Sequence, residues 1–115
     1  MKLAIWAVMA GALLAGQAAL AEAKLVTDAK GMTLYTFDKD VGGKSVCYDD
    51  CAKKWPAWLV AAGEKMGEGW TMVDRTGGTK QWAYDGKPVY TFAGDVKKGD
   101  TLGDGLGGVW HEIKE

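Results

Sequence analysis

Two cysteines, one histidine and a run of aspartates are the residues of this chain whose types and spacing could do chemistry. Cys47 and Cys51 would close a five-residue loop as a disulfide, or serve as a reactive dithiol. The favoured reading is a structural staple. The spacing is not the Cys-x-x-Cys of redox motifs, no βαβ pattern surrounds it, and Asp49 and Asp50 between the sulfurs disfavour thiolate. A regular helix presents such a pair poorly, so Cys47 is expected in a loop and Cys51 at the start of a short helix. Two thiols and a distant His111 are too few for a closed zinc tetrahedron.

Asp95, Asp100 and Asp104 lie in a glycine-rich stretch, and oxygen-rich flexible loops are how calcium is held. His111, with Met32, Met66 and Met72, offers soft ligands to copper. A solvated turn-rich loop and an ordinary strand histidine are the favoured readings, so no cofactor is expected, with Ca2+ or Cu as the alternative. Catalysis lacks a constellation. Ser45 is the only serine and has no oxyanion motif beside it. No nucleotide-binding loop opens a helix. Paired acids for glycoside cleavage stay open, but a non-enzyme is the expectation.

What positions these residues is a repeat. Gly31-Met32-Thr33-Leu34-Tyr35-Thr36-Phe37-Asp38-Lys39-Asp40 aligns without gaps to Gly86-Lys87-Pro88-Val89-Tyr90-Thr91-Phe92-Ala93-Gly94-Asp95, an offset of 55 residues. Two copies are too few for a solenoid, so two halves of one domain packed with pseudo-twofold symmetry are expected. Within each copy the two rings stand two residues apart on a strand and share a face. Tyr35, Phe37, Tyr90 and Phe92 are therefore expected core partners. Asp40 and Asp95 follow where each strand should end, and each can bond to its own downstream backbone. The competing reading brings the two carboxylates together or lines up rings for a ligand.

These segments, with CYDDCAKKWPAW, QWAYDGKPVYTFAGD and GDGLGGVWHEI, resemble the bacterial secreted-repeat family of predicted lipoproteins with a Tyr-x-aromatic-x-x-Asp motif. The likeness runs from about Leu25 to Ile113. It implies an exported, β-rich, two-repeat domain, often lipid-tethered, with no established enzymatic activity. The chain departs from the family in lacking a lipid-acceptor Cys and in having Ala57 where a second Pro is common.

Residues 1–21 have the pattern of a signal peptide: Lys2, an uncharged run from Leu3 to Leu20, and small residues at Ala19 and Ala21. Cleavage there leaves 13 Lys and Arg against 15 Asp and Glu. That balance excludes a nucleic-acid arm or polybasic membrane patch. The remainder, 22–115, is read as one soluble, periplasmic or secreted β domain without a membrane span, its repeats at about 25–60 and 70–113. Strands are expected at Leu25–Asp28, Met32–Phe37, Trp70–Arg75, Lys80–Tyr84, Lys87–Phe92 and Val109–Ile113, with one short helix after the Cys loop. The fold class is mainly β, a small barrel or sandwich of about six short strands. Five tryptophans follow residue 21. Most are expected in the core, with one or two lining a groove. The functional expectation is a non-catalytic binding or cell-envelope accessory module of unknown partner, with a metal-binding or redox accessory protein as the alternative.

Overall fold

Turn chemistry and strand alternation account for the elements. The computed structural model describes residues 24–115, so the expected leader lies outside the described residues. In chain order these carry β1 (Tyr35–Phe37), α1 (Asp50–Lys54), β2 (Trp70–Asp74), β3 (Lys80–Tyr84), β4 (Lys87–Pro88), a 3-10 turn (Leu106–Gly108) and β5 (Trp110–Glu112). Asp85 and Gly86 both have positive φ, 53° and 81°, the geometry of a two-residue hairpin turn, and they join β3 to β4. Helix α1 stops at Trp55, which has φ −128° and ψ 75°, because Pro56 excludes its predecessor from the helical region. The disulfide between Cys47 and Cys51 ties the loop before α1 to its first turn.

Among the described residues the domain is mainly β with one short α-helix, as expected, but its strands form two small antiparallel sheets and close no barrel. One sheet pairs β1 with β5, and the other has the order β2-β3-β4. Of the six expected strands only Lys80–Tyr84 has the expected extent: Met32–Phe37 forms only Tyr35–Phe37, and Trp70–Arg75 and Val109–Ile113 are trimmed by one and two residues. Leu25–Asp28 contributes only isolated bridges, Leu25 to Lys114 and Thr27 to Thr33, and the run after Pro88 continues as a single bridging residue, Tyr90. Its pairing is interrupted because neighbouring residues bond to different segments: Thr91 N–H donates to Pro56 O and Ala93 N–H to Lys54 O.

The two repeated motif segments pair directly with each other at one point. Tyr35 N–H donates to Tyr90 O at 2.8 Å and Tyr90 N–H to Tyr35 O at 3.0 Å, a reciprocal antiparallel pair. About this pair the contacts occur in matched sets. Asp38 N–H donates to Val109 O at 2.8 Å where Ala93 N–H donates to Lys54 O at 2.8 Å. Ile113 N–H donates to Leu34 O at 3.1 Å where Trp58 N–H donates to Val89 O at 3.1 Å. Each pair of equivalents differs by 55 in residue number, the offset of the sequence repeat.

Alternation sends the side chains of this junction to two cores. Tyr35 and Tyr90 enter a cluster with Cys47, Trp55 and Trp110, against which Phe37, Phe92, Cys51 and Val109 pack. Leu34 and Val89 enter a second cluster with Val26 and Trp82, covered by Trp58, Trp70, Tyr84 and Ile113. All four rings of the repeated motif thus share one core. Trp55, Trp82 and Trp110 are buried, while Trp58 and Trp70 are half-buried.

Gly103 sits against this core, where a Cβ would lie 2.5 Å from the Trp55 ring and 3.1 Å from Phe92. The Trp55 ring is packed between Phe92 and Trp110, so displacing it disturbs both stacking contacts. Gly103→Ala should therefore cost about 1–3 kcal/mol in urea denaturation. Gly67→Ala, with nothing within 4 Å of its Cβ, should stay within about 0.5 kcal/mol of the parent.

Candidate functional site

The repeated motif builds a crossed polar brace. Tyr35 Oη, from the first repeat, donates to Asp95 Oδ2 of the second at 2.7 Å, and Tyr90 Oη donates to Asp40 Oδ2 of the first at 2.6 Å. The other oxygen of each carboxylate holds its own loop: Asp40 Oδ1 accepts from Val46 N–H at 2.8 Å and Asp95 Oδ1 from Leu102 N–H at 2.9 Å. Each aspartate bonds downstream backbone, as its position after the strand predicts, and also reaches across the repeat junction. The two carboxylates face opposite tyrosines.

Burial dominates the electrostatics of these groups. Both phenols are pushed well above the ordinary tyrosine range, first by desolvation and then by donating to a carboxylate. The Asp40 carboxyl is raised by burial, which outweighs the opposing effects of the Tyr90 hydroxyl, the Val46 N–H and the nearby Arg75 cation.

Arg75, immediately after β2, is the residue that sequence reasoning missed. Its Nη1 donates to Ser45 Oγ at 3.0 Å and Gln81 Oε1 at 2.8 Å, and its Nη2 to Cys47 O at 3.1 Å. The guanidinium also lies over the Tyr48 ring, 4.3 Å from its centroid. Ser45 Oγ takes a second N–H from Cys47, which fills its acceptor capacity. Its own proton therefore points to Tyr90 Oη, 2.6 Å away, whose proton is already given to Asp40. The signal was compositional: the chain has one Arg and one Ser, and both meet here.

The other candidate residues are not gathered into one site. Asp100 Oδ2 accepts from Lys97 and Val96 N–H groups, which hold its carboxyl below the ordinary range. Asp104 Oδ1 accepts from Glu112 N–H at 2.9 Å. His111 Nε2 lies 2.8 Å from Asp38 Oδ2 at the surface. Among the described residues no three His, Cys, Asp or Glu side chains are placed to share an ion. Cys47 is fully buried. Two surface grooves among the described residues are largely apolar. One of about 590 Å³ is lined by Leu59, Val60, Ala61, Ala62 and Met72 among others, and one of about 610 Å³ opens beside Trp55, Phe92, Leu106 and Trp110.

A family model described as a secreted repeat of unknown function matches residues 23–58 and 71–114. No curated protein and no solved structure matches the chain significantly. Among the described residues no helix is long and apolar enough to cross a membrane.

Because folding favours the neutral phenols, Tyr35 and Tyr90 contribute stability that is complete below their ordinary pKa of 10.0 and is lost as pH rises through the raised values. In an alkaline absorbance titration Tyr48, lowered chiefly by the Thr76 N–H, should ionise first. Tyr35 and Tyr90 should ionise late, together with loss of near-UV dichroism, and Tyr35→Phe with Tyr90→Phe should delete that late step. Asp95→Ala leaves the buried Tyr35 hydroxyl, which still accepts from Gly103 N–H, with no acceptor for its own proton, and should cost about 1–3 kcal/mol by urea denaturation.

Proposed function

The chain belongs to the secreted-repeat family of unknown function, and from that premise we propose that it is a non-catalytic binding module accessory to the cell envelope, working in the periplasm or outside the cell. The observation that carries this reading is where the polar groups of the motif are spent. Both tyrosine hydroxyls, both aspartates and Ser45 bond to one another or to backbone inside the domain, which leaves none of them turned outward to attack or deprotonate a bound ligand. Recognition then falls to the surface. The groove at Leu59 and Met72, each 46% exposed, has the apolar character and size of a ligand site.

The test is cosedimentation of the purified mature protein with isolated cell envelopes, together with elemental analysis of the same preparation. Binding should be retained by Cys47→Ala/Cys51→Ala, which loses about 2 kcal/mol of stability through opening of the short loop. It should weaken about tenfold or more in Leu59→Asp/Met72→Asp, the effect of about 1.4 kcal/mol at the contact. Stoichiometric calcium or copper, or loss of binding in a folded cysteine variant, would replace this proposal with a metal-linked or redox role.

A further inference from the structure

The first core joins two phenols through two indoles in unbroken contact. Trp55 and Trp110 stack with centroids 3.7 Å apart and planes 2° from parallel. Tyr35 meets Trp55 edge-on at 5.3 Å, and Tyr90 meets Trp110 edge-on at the same 5.3 Å. Phe92 and Phe37 cover the outer faces of the indole pair at 4.4 and 4.1 Å. At each end the phenol already donates to a carboxylate, at 2.7 Å for Tyr35 and 2.6 Å for Tyr90.

Indole and phenol are the aromatic side chains most readily oxidised by one electron. Stacking lets two indoles share the resulting positive charge. A phenol gives up an electron far more easily when a base stands ready for its proton, because the oxidised phenol is a strong acid. The groove beside Lys54, Trp55, Phe92, Leu106 and Trp110 opens on the edges of the indole pair, so a small oxidant can approach. The second aromatic cluster lacks the proton acceptor. Trp70 and Tyr84 are 4.8 Å apart there, but among the described residues the Tyr84 hydroxyl has no carboxylate hydrogen-bonded to it.

We propose that Tyr35, Trp55, Trp110 and Tyr90 form a one-electron relay that accepts an oxidising equivalent from a small oxyl-type radical in the groove and stores it on a buried tyrosine. The indole pair gives one electron to the oxyl radical, which becomes its anion, and an indole radical cation remains. Tyr35 then passes one electron to Trp55 while its phenolic proton moves to Asp95 Oδ2. The products are a neutral indole, a neutral phenoxyl radical and a carboxylic acid. Tyr90 does the same through Trp110, with Asp40 taking the proton. A one-electron donor of the thiol or ascorbate class restores the phenol, and the proton returns from the carboxyl. Neither tyrosine is exposed, which shields the phenoxyl radical from coupling reactions. The relay is independent of the Leu59 and Met72 groove, so either can fail without the other.

Flash-quench oxidation with photogenerated tris(bipyridine)ruthenium(III), read by transient absorption and electron paramagnetic resonance, tests the relay. Tyr48→Phe/Tyr84→Phe keeps only the two buried phenols among the chain's 4 tyrosines and alters half-buried positions, so the fold is retained. In that variant a tryptophan radical should decay as a tyrosyl radical rises, at the yield of the parent. In Asp40→Asn/Asp95→Asn the tyrosyl rise should slow by about tenfold or more, equivalent to about 1.4 kcal/mol of added barrier. The absence of a tyrosyl signal in Tyr48→Phe/Tyr84→Phe overturns the relay, and so does an unchanged rise in the asparagine variant.

Discussion

The reciprocal backbone pair between Tyr35 and Tyr90 is the constraint on which the rest of this domain depends. Two hydrogen bonds of this kind contribute only about 0.5–1.5 kcal/mol each. Their importance is geometric. Once these two residues face each other antiparallel, alternation sends both tyrosine rings to one side and Leu34 with Val89 to the other. Two cores follow from one junction, each assembled from both repeats. Neither half can bury its own rings alone, since Trp55 of the first repeat packs against Trp110 and Phe92 of the second.

The crossed Tyr–Asp bonds turn this junction into a brace. Each carboxylate is held by its own loop through one oxygen and by the opposite repeat through the other, so the loops after the two strands are fastened to the same centre. The loops solve the same problem differently. In the first repeat the segment from Asp40 to Trp55 is closed by the disulfide and clamped to the larger sheet by Arg75. In the second, the segment from Asp95 to Trp110 has no cysteine and relies on Asp100 and Asp104 accepting backbone N–H groups, and on the smallness of Gly103 beneath Trp55. The repeats have diverged in the loops that follow their motifs and kept their match at the junction between them.

Much of this was legible in the residues. The offset of 55 between the copies, the shared face of Tyr35 with Phe37 and of Tyr90 with Phe92, the Asp85-Gly86 turn and the end of the helix before Pro56 all follow from local rules. Strand extent was less legible. Leu25–Asp28 has strand composition, yet its residues form only isolated bridges. Composition reports what a segment can do in a sheet, while pairing depends on which segments end up alongside it. Arg75 was illegible for a related reason: its acceptors, Ser45, Cys47 and Gln81, come from the cysteine loop and from strand β3, and no spacing rule joins them.

The amino-acid sequence by itself determined that there are two copies of one unit, that their rings face inward, and that Cys47 and Cys51 lie close enough to bridge. These are consequences of local periodicity and short separation along the chain. Only the tertiary structure decided that each tyrosine bonds the aspartate of the other copy, 60 residues away for Tyr35 and 50 for Tyr90, rather than its own. The physical reason is that a twofold junction exchanges partners: residues equivalent in the two copies are carried across the axis, and a linear pattern contains the equivalence without the exchange.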